Sequence, residues 1–251
     1  MSSLQEAVKQ IKEDKTKEKS WFPLESNPQV MTNYVRQIGL NVDLVEFVDI
    51  FSTEEWALEM VPRPCLGTLM VFPLKPVFEE YRKNESEKIE KDGQEVSSNT
   101  WYCKQYVGNA CGTIGLLHAV ANARDNDSLE IKKDSWLDRF MNRTKSKSAE
   151  EIGRMLEEDD ELEEQHVSAA ATGQSAIIEE TQSHFTCFSC VDGSLYEFDG
   201  RKKFAINHGP TSKDTLLEDA CKVMRKFMDL DPEEVRFTMV ALVAKPPSQE
   251  V

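Results

Sequence analysis

Cys111 is the residue of this 251-residue chain best placed for nucleophilic chemistry. It stands in Asn109-Ala110-Cys111-Gly112-Thr113, where a loop passes into an apolar helical run. A thiol at a helix N-terminus meets unpaired amides and the positive end of the helix dipole, and both favour thiolate. Small residues at 110 and 112 let a substrate carbonyl come close to the backbone. The competing reading is a buried structural cysteine. Gln105 lies in the loop feeding that helix and carries a neutral side-chain donor. With the backbone N–H of Cys111 it suits a developing oxyanion. A glutamine in a loop is otherwise merely solvated, so this role stands or falls with Cys111.

His184 and Asp199 are connected by a hairpin. Asp192-Gly193 between two strand-like runs is a tight-turn signal. A two-residue turn there sets Val191 opposite Ser194 and Thr186 opposite Asp199. His184 shares a face with Thr186 because strand side chains alternate. Asp199 is then its diagonal neighbour, at roughly 7–8 Å between backbones. Side chains of these lengths close that gap, so the carboxylate would orient the imidazole and stabilise its protonated form. A surface His–Asp contact is the competing reading, and a bulge would undo the register. A cysteine first, then His and Asp far downstream on a sheet, is the chain order of papain-like cysteine hydrolases.

The other thiols and imidazoles offer less. Strand alternation places Cys187 and Cys190 on opposite faces, against a zinc or redox pair, whose thiols must converge. Cys65, Cys103 and Cys221 have no partner constellation. His118 falls on an apolar helix face and reads as packed core. His166 and His208 show no local partner pattern. No metal or cofactor is called for.

The elements that must position these groups read as follows. Asn27-Pro28 starts a helix to about Ile38, ended by Gly39. Leu44 to Phe51 is strand-like. Ser52 and Glu55 read as a capping box opening a helix over Glu55 to Met60. Leu66 to Phe72 is a buried strand between prolines. Pro76 to Glu90 is helical, and Asp92 to Thr100 a polar loop. Cys111 to Ala123, apolar nearly all round, is a central helix. Helices follow over Asp134 to Met141 and Ser148 to Leu156. Nine acids against one base between Glu150 and Glu164, then small polar residues from His166 to Ser175, read as one long exposed loop. Lys213 to Leu230 is an amphipathic helix and Phe237 to Ala244 a last buried strand. The order fits α+β with an antiparallel sheet, in one domain over 21–251, preceded by a polar extension over 1–20.

Composition bounds the function. A net charge of −15 argues against nucleic acid and anionic membranes and favours basic partners, or serves solubility alone. Six cysteines do not make a disulfide framework and fit free thiols in a reducing compartment. No apolar run is long enough to span a bilayer, and Met1 to Ser20 lacks the apolar core of a secretory signal. A soluble protein of the cytoplasm is expected, with the nucleus also open.

From Trp21 to Val243 the chain resembles the ubiquitin C-terminal hydrolase family, and looks closest to its short, single-domain members. The motifs are Trp21-Phe22-Pro23-Leu24-Glu25-Ser26-Asn27-Pro28, Val61-Pro62-Arg63-Pro64, and Gln105 through Asn109-Ala110-Cys111-Gly112-Thr113-Ile114-Gly115-Leu116. His184 follows, then Leu195-Tyr196-Glu197-Phe198-Asp199-Gly200-Arg201-Lys202 and Ile206-Asn207-His208-Gly209. The resemblance implies a thiol-dependent deubiquitinase with a Cys111–His184–Asp199 triad and Gln105 at the oxyanion. It implies the papain-like fold, a central antiparallel sheet between helical lobes with a knotted backbone. It also implies a crossover loop around Glu158 to Gln174 that favours small or unfolded leaving groups. Ubiquitin, or a ubiquitin-like modifier, would be the partner of a monomer, contacted by Leu24, Glu25, Asn27, Val167, Gly173 and Gln174. A binding module of the same fold and a thiol redox sensor remain as alternatives.

Overall fold

Six strands, paired antiparallel throughout, make one sheet in the order β1-β6-β2-β3-β4-β5. They are β1 (Val45–Asp49), β2 (Cys65–Pro73), β3 (Ser183–Val191), β4 (Ser194–Phe198), β5 (Ile206–Pro210) and β6 (Thr238–Ala244). Among the described residues the helices are α1 (Pro28–Ile38), α2 (Glu55–Leu58), α3 (Pro76–Asp92), α4 (Cys111–Asn122), α5 (Trp136–Thr144), α6 (Ala149–Glu157), α7 (Asp160–Ala170) and α8 (Leu216–Met228). The computed structural model describes residues 19–173 and 181–246, so most of the expected N-terminal extension lies outside the described residues.

β2 explains why the sheet carries two cores. It is buried along its whole length, because α4 packs on one face and α8 on the other. Leu69 and Val71 join the cluster of α4, whereas Met70 and Phe72 join that of α8. A register shift between Cys65 and Gly67 puts Leu66 with α4 as well. α4 is buried from Cys111 to Ala121, as its nearly all-apolar sequence requires.

The α1 start is as read: Asn27 caps the amides of Gln29 and Val30, Pro28 takes the first turn, and Gly39 follows the last turn at φ 121°. The hairpin register also matches. Val191 pairs with Ser194 and Cys187 with Phe198, across Asp192 (φ 49°) and Gly193 (φ 76°). Positive φ at both central residues is the turn whose twist suits two strands. Cys187 faces the α4 core while half-buried Cys190 packs against the other.

Three expectations are corrected. Much of the stretch expected as one exposed loop is helix: Asp160–Ala170 forms α7, Glu150 to Leu156 belongs to the helix already read there, and Gln174 and Ser175 lie outside the described residues. Asp159 caps the Leu162 amide at 2.9 Å, and Asp160, Glu161 and Glu163 fill the first turn of α7, where carboxylates suit the dipole. Leu162, Glu163, His166 and Ala169 form its buried stripe. The acids that read as solvation are thus partly a helix-start signal. Second, Ser52 does not cap α2; its hydroxyl accepts from the Glu54 amide at 3.2 Å, and the helix starts at Glu55, as read, with no side-chain cap. Third, β5 was not foreseen. Its Asn-His-Gly-Pro composition is that of a turn, and an edge strand tolerates it because one side needs no partner.

Candidate active site

Cys111 is the first residue of α4, after an N-cap alanine that offers no side-chain acceptor. The opening amides of the helix are therefore left without a side-chain cap. Asn109, at φ 58°, turns the chain into the helix, and its side chain donates to the Trp21 carbonyl at 2.9 Å. That bond holds the segment from Lys19 to Ser26 against the helix start. Gly112 is needed there, since a Cβ would lie 2.9 Å from that of Leu24.

His184 is the second residue of β3 and pairs with Phe72, whose ring it meets edge-on at 5.7 Å. Alternation sends Phe185 and Cys187 under α4 and His184 to the opposite face. The imidazole still meets the thiol because both sit at element ends, beyond which the sheet no longer separates them. The ring hydrogen-bonds with Cys111, which also receives the Phe185 amide. Burial works against the thiolate, yet the His184 hydrogen bond and charge prevail and lower the Cys111 pKa.

Asp199 lies one residue beyond β4, as the register predicts. Its Oδ1 is 2.7 Å from His184 Nε2, which leaves Nδ1 for the thiol. Burial alone would lower the His184 pKa, but the Asp199 charge and hydrogen bond, with Cys111, raise it to about 9. Burial also disfavours the Asp199 carboxylate, and the charges of His184 and Arg82 more than offset this, holding its pKa well below the usual range. The site thus favours thiolate beside imidazolium.

Gln105 is anchored on the Asp199 turn. Its backbone N–H donates to the Gly200 carbonyl at 2.9 Å, and its Nε2 donates to the Val107 carbonyl at 3.0 Å. The second Nε2 hydrogen is the one available to an oxyanion. Gly200 permits this contact, because a Cβ would stand 3.0 Å from that of Gln105.

A cavity of about 320 Å³ opens on Cys111, lined by Leu24, Glu25, Phe185 and Arg236 among others. Two of the anticipated substrate contacts, Leu24 and Glu25, are there. Asn27 instead spends its side chain as a cap. Val167 and Gly173 do not line the cavity, although Gly173 abuts the Glu25 carboxylate. Gln174 lies outside the described residues.

Several residues of the site gave no usable sequence signal. Arg82 on α3 forms an ion pair with Asp199, and the Tyr102 hydroxyl donates to the Asp199 carbonyl at 2.5 Å. The one hint of Arg82 is its spacing of four from buried Phe78 on an otherwise polar helix. His166, unpartnered as read, in fact bonds Thr113 of α4 at 2.7 Å and the Phe22 carbonyl at 2.6 Å. His208 bonds Glu197 at 3.0 Å across the β4–β5 pair. His118 is core, as expected, and its Nε2 accepts the Cys103 amide at 3.0 Å.

A helix-borne thiol facing an imidazole held by a carboxylate, on an antiparallel sheet between helices, places the chain among the papain-like cysteine hydrolases. The family model of ubiquitin carboxyl-terminal hydrolase, family 1, matches residues 21–229. The chain is 42% identical to a probable ubiquitin carboxyl-terminal hydrolase of Dictyostelium discoideum, over 91% of this chain and 90% of that protein. It is 40% identical to ubiquitin carboxyl-terminal hydrolase isozyme L1 of Homo sapiens, over 88% and 96%. Its fold matches the Trichinella spiralis UCH37 catalytic domain, solved bound to ubiquitin vinyl methyl ester. The TM-score is 0.71 at 21% identity, over 91% of this chain and 97% of that one. The chain belongs to the ubiquitin carboxyl-terminal hydrolase family, whose members are cysteine-type deubiquitinating enzymes.

Proposed function

We propose that this protein cleaves small or unfolded adducts from the C-terminal glycine of ubiquitin. Cys111 thiolate attacks the glycine carbonyl, and the oxyanion is met by the free Gln105 Nε2 hydrogen and the Cys111 amide. His184 gives its proton to the departing amine or alkoxide. It then takes one from the water that attacks the thioester, which releases the ubiquitin carboxylate and the thiol. Asp199 keeps Nε2 occupied so that Nδ1 serves the thiol. The observation that carries this reading is the buried His184–Asp199 bond of 2.7 Å beside the thiol at the start of α4.

The size limit is supported by the length of chain between two residues that line the cavity. Ala170 and Thr181 both line it, with ten residues between them. At about 3.5 Å per residue that connection reaches at most roughly 40 Å. The girth of a 100-residue domain, with a radius of gyration of about 13 Å, is on the order of 100 Å, more than a connection of that length could enclose. An extended peptide or small amine is well within it.

Ubiquitin vinyl methyl ester tests the reading directly. Wild type should gain one ubiquitin, Cys111→Ala none, and a ubiquitin C-terminal amide should be turned over only by wild type. Ubiquitin binding without labelling or turnover would replace the hydrolase with a binding module.

A further inference from the structure

Every oxygen of the Asp199 carboxylate is taken. Oδ1 accepts from His184 Nε2 and, at 2.9 Å, from the Arg201 amide, while Oδ2 accepts from Nη2 of Arg82. Arg82 is buried although it comes from a mostly exposed helix. Its guanidinium lies over the Phe72 ring at 5.4 Å, the same ring that meets His184. Nη1 donates to Glu79 at 2.5 Å, and the other Glu79 oxygen accepts from Arg201 at 3.0 Å. An unbroken chain of charged contacts therefore runs from His184 through Asp199, Arg82 and Glu79 to Arg201 at the surface. No step of the proposed reaction uses Arg82 or Glu79.

We propose that Arg82 is a positioning residue of the triad: by clamping Oδ2 and balancing the Asp199 charge, it fixes the His184 ring and sets how firmly that ring holds its proton. A guanidinium is permanently charged and forked, so it restrains a carboxylate in angle as well as in charge. Without it the imidazolium of His184 would be the one cationic side chain hydrogen-bonded to the buried Asp199 carboxylate. The imidazole would then hold its proton too firmly to serve as the acid that frees the leaving group. Other charges lie around the pair. Lys202 is engaged by Glu85 and Glu197, and Glu197 also holds His208. Lys104 acts on Asp199 from a distance. Buried Tyr102 and His118 are neutral at physiological pH, their ionisation opposed by burial. Among the described residues only Arg82 sets a cationic side chain on the second Asp199 oxygen.

The kinetic consequence rests on the proposed hydrolysis, but the titration does not, so the two can fail separately. The ring of His184 is followed by NMR in a Cys111→Ala background, where no thiol titrates with it. Arg82→Met should raise its midpoint by about one pH unit. In the active enzyme the alkaline limb of kcat/KM should rise with it. Arg82→Lys keeps the charge without the fork, so the midpoint stays near wild type while kcat falls at unchanged KM. Glu79→Gln removes the countercharge of Arg82 and should lower the midpoint by a few tenths of a pH unit, screened by its partial exposure. A role in packing alone would move neither midpoint. Should Arg82→Met fail to fold, Glu79→Gln decides: a downward shift supports the proposal, and an unmoved or raised midpoint overturns it. An unmoved His184 midpoint in folded Arg82→Met overturns it as well.

Discussion

Replacing His166 by glutamine should make the fold less sensitive to acid while making it less stable at neutral pH. The imidazole is fully buried between three segments. Nε2 must carry the proton, because it faces the Phe22 carbonyl, and Nδ1 then accepts from Thr113, whose oxygen is 3.0 Å from the Tyr34 hydroxyl. Burial is the main cause of a pKa lowered from 6.5 to about 4, against the smaller pull of the Phe22 bond and Glu163. A histidine depressed in the folded state contributes stability that is complete above the unfolded pKa and is lost as the pH falls toward the folded one. Between pH 7.5 and 4.5 the loss integrates to about 2.5 kcal/mol for a 6.5-to-4 shift.

The glutamine variant His166→Gln keeps a donor where Nε2 meets Phe22 but has no acceptor in the place of Nδ1, where Thr113 bonds, and nothing to titrate. At pH 7.5 it should be about 1–3 kcal/mol less stable, the cost of a buried hydroxyl losing its partner. At pH 4.5 the gap should have closed by about 2.5 kcal/mol, since only wild type has paid for protonation. Urea unfolding read by tryptophan fluorescence at several pH values gives both profiles, with Trp21 only 4.5 Å from the His166 ring. Every other titrating group is common to both proteins, so the difference isolates this one. Parallel profiles would refute the account, because they would mean that His166 meets protons equally in both states.

Three shorter predictions concern the site. Asp199→Asn keeps the shape but removes the charge that raises His184, so kcat/KM should fall by about 10²–10⁴-fold at pH 7.5, checked with a ubiquitin C-terminal amide. Gly200→Ala puts a methyl 3.0 Å from the Gln105 Cβ and 3.1 Å from its nitrogen. It should lower kcat about 10–100-fold with circular dichroism unchanged, since a small shift of the donor is enough. With a net charge of −15, kcat/KM for ubiquitin substrates should fall as salt rises from 20 to 500 mM; a flat response would remove electrostatic steering.

What the sequence discloses about this site depends on how local the deciding interaction is. The hairpin is local, so Asp192-Gly193 was enough to bring His184 and Asp199 together to within a hydrogen bond. The α1 cap and the apolar α4 run are local too, and both stand where expected. The partners of His166 are not local. Thr113 and Phe22 lie 53 and 144 residues away, so no nearby spacing could reveal them. α7 was misread for a related reason: its acids were counted as solvation, although several lie in the first turn and Glu163 is buried against Lys19 at 2.6 Å. Arg82 is 117 residues from Asp199 and belongs to a helix whose other charged residues are exposed or only partly buried.

The three fully buried histidines show what finally separates a base from a core residue. Burial pushes each toward neutrality, and it takes His118 down to about 3 and His166 to about 4. His184 is buried as completely, yet stands at about 9. His118 accepts a backbone amide, and His166 takes a hydroxyl and a carbonyl; all are dipoles, too weak to offset desolvation of a cation. His184 has a full carboxylate at 2.7 Å. Burial then works in its favour, because the low dielectric that penalises the lone cation also strengthens its attraction to the anion. A carboxylate so placed must itself be kept ionised and aimed, and a single ring nitrogen cannot satisfy two oxygens. Hence the second oxygen needs its own donor, and Arg82 is where the fold supplies it.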